Sequence, residues 1–139
     1  MSIKPILVIL LSATLLTGCS DYQDKVASMS LEEFSVEVCD ALLSHDYERV
    51  ELLVDAESYN AMKKMFADME KKEPKKFKEE MESLREKIPS MCTNPKFGEK
   101  KENGTFRVKL GGSNGMGFKL KEIQPGTYKA LLSIPSEYR

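Results

Sequence analysis

The sequence predicts an α+β fold, with about four helices in the N-terminal part packed on one face of a C-terminal antiparallel sheet of three to four strands. Three observations predict it. Apolar residues recur at helical spacing between Leu31 and Ile88. After Cys92 the period changes to two, with Phe106, Val108 and Leu110 alternating with Arg107 and Lys109. Asn103-Gly104 and Pro125-Gly126 then supply turns between the alternating runs. A run of helices followed by a run of strands buries its apolar faces most simply as one helix layer on one sheet.

The helices follow in order. Ser30-Leu31-Glu32-Glu33 fits a capping box, and Leu31, Phe34, Val38 and Leu42 form one stripe, with Cys39 at its border. His45-Asp46 interrupts that pattern, and Asp46 caps a short second helix containing Tyr47, Val50, Leu53 and Val54. Ser58 is the expected cap of a third helix, with Tyr59, Met62, Phe66 and Met69 on its apolar face. Glu73-Pro74 stops it. The fourth carries Phe77, Met81, Leu84 and Ile88 and ends at Pro89. The dense mixed charge of Lys71 to Glu86 reads as a solvated face.

In the second part, Phe118 and Leu120 alternate with Lys119 and Lys121, and Tyr128, Ala130, Leu132 and Ile134 form a third run. Lys96 to Lys101 is a weaker first strand, paired through the Asn103-Gly104 turn. Gly111 to Gly117, with its repeated glycines, reads as a loop between two strands that exposes Met116.

Ahead of all this stand Lys4, an apolar run from Ile6 to Leu16, and Leu16-Thr17-Gly18-Cys19. The run is far shorter than the ~20 residues that a spanning helix needs, and its flanks are those of a cleaved leader. The stretch resembles the signal peptide and lipobox of a bacterial lipoprotein. That resemblance implies that residues 1–18 are removed and that Cys19 takes palmitate and other acyl chains as the first mature residue. Several chains anchor stably where one is marginal. Ser20 after the cysteine implies, by the same resemblance, an outer-membrane lipoprotein facing the periplasm. The polar residues 19–29 read as a lipidated tether, and residues 30–135 as a single domain.

With Cys19 modified, Cys39 and Cys92 remain as an even pair in an oxidising compartment, which favours a disulfide over two free thiols. Their spacing is unlike a Cys-x-x-Cys redox motif. The net charge of −1, from 21 basic and 22 acidic side chains, points away from nucleic acid, which needs a concentrated positive patch. It likewise gives no special attraction to an anionic membrane surface, leaving the lipid as the membrane contact.

His45 is the single histidine, placed at a turn without a nucleophile motif or a metal-ligand set around it. No enzyme activity, metal or cofactor is therefore expected. Met62, Met65 and Met69, with Tyr59 and Phe66, form a soft apolar face of a kind that adapts to partners. Met65, Met116, Gly115 and Gly117 are the candidate partner contacts.

Cys39-Asp-Ala-Leu-Leu-Ser-His-Asp-Tyr47 and the closing Phe118-Lys-Leu-Lys-Glu-Ile123 with Gly126-Thr-Tyr128-Lys resemble small lipoproteins of the nuclear transport factor 2-like, cystatin-like group. The resemblance implies helices against a curved sheet, a cone whose mouth holds a ligand or partner, and no particular chemistry. The expected function is a membrane-anchored, non-enzymatic adaptor or inhibitor that binds an envelope protein. The alternative is a carrier of a small apolar or lipid-like ligand in the cone.

Overall fold

The computed structural model describes residues 21–139. The expected signal peptide, the lipobox and Cys19 lie outside the described residues. Residues 21–27, within the expected tether, are helical (α1). The Ser28 amide closes this helix on the Asp24 and Lys25 carbonyls at 3.1 and 3.2 Å. Leu31–Arg139 is a separate compact unit. Among the described residues it contains all of the buried apolar core and the disulfide, and so holds within itself what a domain needs to fold alone.

That unit is α+β, as expected. Helices α2 (Leu31–Leu43), α3 (Tyr47–Leu53), α4 (Ala56–Lys72), α5 (Pro74–Glu86) and α6 (Ile88–Met91) precede strands β1 (Lys96–Phe97), β2 (Thr105–Leu110), β3 (Met116–Gln124) and β4 (Thr127–Leu131). The sheet is an antiparallel meander in the order β1-β2-β3-β4. Its register sets Phe106 beside Leu120, Val108 beside Phe118, and Leu120 beside Ala130. Alternation therefore turns Phe106, Val108, Leu110, Phe118 and Leu120 to the core and Arg107, Lys109, Lys119 and Lys121 to solvent. Val38, Val50, Leu53, Val54 and Leu110 are all but inaccessible and form the centre of the packing between sheet and helices. Among the described residues no helix is long and apolar enough to cross a membrane.

Local chemistry explains most boundaries, and three differ from expectation. Asp46 caps α3 as read from the sequence, its carboxylate accepting the Arg49 amide at 3.3 Å. The cap of α4, however, is Asp55, which accepts the Ser58 amide at 3.2 Å. Ser58 lies inside the helix, buried, and its hydroxyl accepts the Leu132 amide at 3.0 Å. Both residues are good caps; tertiary pairing with the strand end takes Ser58 and leaves Asp55 to start the helix. The fourth helix stops at Glu86, and Ile88 opens α6 with Pro89 in its first turn, where a missing amide costs nothing. The third alternating run leaves the sheet at Leu131, although Ile134 is still buried.

Two long-range ties fix the layers. Cys39 of α2 and Cys92, just after α6, form a disulfide with a Cα–Cα distance of 5.5 Å. Arg49 of α3 reaches Glu37 and Asp40 of α2 at 2.9 and 2.8 Å, and Asp46 in the connecting turn at 2.8 Å. Burial works against the Arg49 charge, but the hydrogen bonds to Asp40, Asp46 and Glu37 outweigh it and hold the guanidinium protonated. At the sheet edge, Val54 makes a parallel bridge to Ala130, whose carbonyl accepts the Asp55 amide at 2.9 Å.

Candidate functional site

The methionine face of α4 does not end in the core. Met62 is buried, whereas Met65 and Phe66 are half-buried and look into a pocket of about 280 Å³. The pocket is closed by the end of α2 (Leu42, Leu43), by Met81 and Leu84 of α5, and by Met116 to Phe118 of β3. Leu132 and Ile134, just past β4, complete it. Helical spacing puts Met62, Met65 and Phe66 on one face of α4, and Met81 and Leu84 on one face of α5. Pro74 lets the chain turn between these two helices with α5 starting at once.

No charged side chain lines the pocket, and His45 is its one titratable group. His45 holds a positive φ of 54° in the α2–α3 turn. Its ring lies 4.7 Å from that of Phe66 and 6.0 Å from those of Tyr47 and Phe77. Burial, followed by the nearby Arg85 charge, lowers its pKa, so the imidazole is neutral at pH 7. The lining is thus soft, apolar and uncharged, a surface that accepts an aliphatic or aromatic group and penalises a charged one.

Sequence reasoning named Met65 and Met116 separately, one on a helix face and one in a loop. The structure brings both to this pocket. Met116 is not in a loop: it opens β3 opposite Leu110 and is half-buried. The expected glycine loop shrinks to Gly111, a single 3₁₀ turn (Gly112–Asn114) and Gly115. Gly115 sits where a Cβ would lie 1.6 Å from the Leu110 carbonyl oxygen, so only glycine fits the hairpin as built. Gly111 (φ 75°) also lies close to Met91, whose carbonyl oxygen would be 2.7 Å from a Cβ there, and its amide donates to the Thr93 carbonyl at 2.8 Å. Gly115 therefore shapes the hairpin, while Gly117, in β3 opposite Lys109, lines the pocket rim.

His45, Met81, Leu84 and Ile134 belong to the site without having been singled out for it. Met81 and Leu84 were visible as a stripe on the next helix. Nothing in the spacing showed that the chain past β4 would cover their side. Among the described residues, no group of three or more His, Cys, Asp or Glu is arranged to hold a metal ion. Comparison with family models, curated proteins and solved structures gives no match for this chain.

Proposed function

We propose that this protein is a lipid-anchored, non-enzymatic binding module of the cell envelope, and that its methionine-lined pocket takes an apolar side chain presented by a partner protein. The observation that carries the reading is the convergence of Met62, Met65, Met81 and Met116 from three separate elements on one open, uncharged pocket. Thioether side chains repack around differently shaped guests at little cost. A buried apolar or aromatic anchor is the usual energetic centre of a protein interface. The anchor part of the proposal draws on the lipobox ending in Cys19. Tethering would raise the local concentration of the module at the membrane, so that a modest pocket suffices for capture.

The pocket is of a size for one large side chain or a small apolar ligand. About 280 Å³ falls just under the ~300–1,000 Å³ usual for pockets that enclose a small molecule. The pocket is itself apolar space left between the helices and β3, so its place in the fold suits either reading. The uncharged lining would suit a small apolar ligand equally well.

The test is affinity purification of the lipidated protein from envelopes in mild detergent, followed by mass spectrometry. The proposal expects one envelope protein near equal stoichiometry, lost on Met65→Asp or Met116→Asp and retained on Glu79→Lys, on the exposed part of α5. Absence of any such protein, with an apolar small molecule extracted from the purified domain, would transfer the pocket to the carrier reading.

A further inference from the structure

The outer face of the sheet carries a charge pattern that the net charge conceals. Lys96, Arg107, Lys109, Lys119 and Lys121 are all exposed there. The register places Lys96 beside Lys109 and Arg107 beside Lys119. Like charges set directly opposite each other weaken a sheet, so this face is costly to the fold taken alone. None of these cations reaches a carboxylate in the ion pairs among the described residues. Lys129, on the same face, is engaged by the Leu52 carbonyl.

Between Lys96, Arg107 and Lys109 runs a groove of about 930 Å³ with no carboxylate in its lining, where Asn94 and Ser113 add neutral hydrogen-bonding groups. An adjoining depression of about 210 Å³ joins Arg107, Lys101 and Lys119, with Glu99 as its one acid. Asp55 and Glu57 share a cleft with Lys119 at the β4 edge. The cations thus outnumber the acids bordering them. Ile123 is the extra residue of a β-bulge two positions past Lys121, and it is 52% exposed, the most exposed large apolar side chain among the described residues.

We infer that this basic face docks on an anionic phospholipid bilayer, with the headgroup phosphates over the groove and Ile123 at the acyl boundary. An array of unpaired cations with one exposed aliphatic group near its end matches a charged surface that has an apolar layer beneath it. A nucleic-acid backbone would satisfy the cations and leave Ile123 in water. The choice of occupant rests on the lipid-anchor part of the proposed function, since an anchored domain has a bilayer within reach of its tether. The charge pattern itself does not depend on that reading or on the methionine pocket. Docking by this face would set the orientation of the anchored domain, which a lipid on a tether leaves free.

The experiment uses residues 20–139, which keep the whole Leu31–Arg139 unit and lack Cys19, sedimented with vesicles of phosphatidylcholine alone or mixed with phosphatidylglycerol. Partition is expected on the mixed vesicles only, and to fall as salt shortens the screening length, ~10 Å at 0.1 M. Lys109→Gln and Lys119→Gln should each lower it about fivefold, and Ile123→Ser should also lower it. Lys78→Gln, on α5, should leave it unchanged. Equal partition on both vesicles, no partition on either, an equal loss with Lys78→Gln, or duplex DNA displacing the vesicles would overturn the inference. The mass of the mature N-terminus from envelopes tests the anchor separately, so failure of one is not failure of the other.

Discussion

Met65 of α4 and Met116 at the first position of β3 line the same pocket, although one belongs to the helical part of the chain and the other to the sheet. Their meeting depends on the β2–β3 hairpin. Its tight turn sets Met116 opposite Leu110 and turns it inward toward the helices. A surface built from two layers persists only while those layers hold their packing, so the devices that fix the layers also preserve the site.

The hairpin is the first of these. Gly115→Ala places a methyl group against the Leu110 carbonyl, a contact that only a backbone shift relieves. We expect destabilisation of about 1–3 kcal/mol, read as a lower denaturant midpoint with an unchanged slope. Gly112→Ala makes a poor control because its φ of 74° is also left-handed. Gly98→Ala, with only ordinary contacts around its Cβ, should cost much less.

The disulfide is the second. Cys39 and Cys92 are 53 residues apart, and a closed loop of that length is worth roughly 4 kcal/mol in the chain-entropy model. Cys39→Ala with Cys92→Ala should lower unfolding free energy by about that amount, and reductant should bring the wild-type protein to the same midpoint. A midpoint insensitive to reductant would contradict this.

Arg49 is the third. Arg49→Gln removes three ion pairs and leaves Glu37, Asp40 and Asp46 facing one another. The side chains are partly exposed, so each pair contributes modestly, and the expected loss is about 1–2 kcal/mol. High salt should shrink the difference between variant and wild type, because it screens both the attraction and the residual repulsion.

His45 gives the pocket a pH dependence whose sign follows from its lowered pKa. The unfolded chain takes up a proton near the ordinary value of 6.5, before the folded protein does. Stability is therefore undiminished by this group above that pH, and it falls as pH drops from there toward the folded value. Asp46, Asp68 and Glu122, whose pKa values are lowered by hydrogen bonds from Arg49, Tyr138 and Lys100, weaken the fold only in more acidic solution. Thermal melts should show a loss as pH falls through and below about 6.5, one that His45→Asn abolishes, since asparagine tolerates the positive φ at this turn.

Much of this architecture was legible because local signals agreed with the final packing. The stripe on α2, the Asp46 cap, the two-residue period of β2 and β3 and the Asn103-Gly104 turn each specify their element without help from elsewhere. In that turn, Gly104 has φ 81° and the Asn103 side chain accepts the Thr105 amide at 3.1 Å. The misreadings arose where distant partners decide. Ser58 is a sound cap by its own chemistry, but the Leu132 amide recruits it. Gly111 to Gly117 looks like a loop because glycine composition does not show which residues pair across a hairpin. Net charge averages over the surface and so hid the basic face, which exists only once strand register places Lys96, Lys109, Arg107 and Lys119 together. Met65 and Met116 were identifiable as candidate partner contacts, but their shared pocket was a tertiary fact.

The docking role of that pocket is tested most directly by site-specific photo-crosslinking in intact cells, with a photoreactive side chain placed in turn at Met65, Met116 and Glu79. The account predicts the same single protein adduct from Met65 and Met116 and none from Glu79 on the exposed part of α5. Adducts absent from both methionine positions, or formed equally from Glu79, would contradict it.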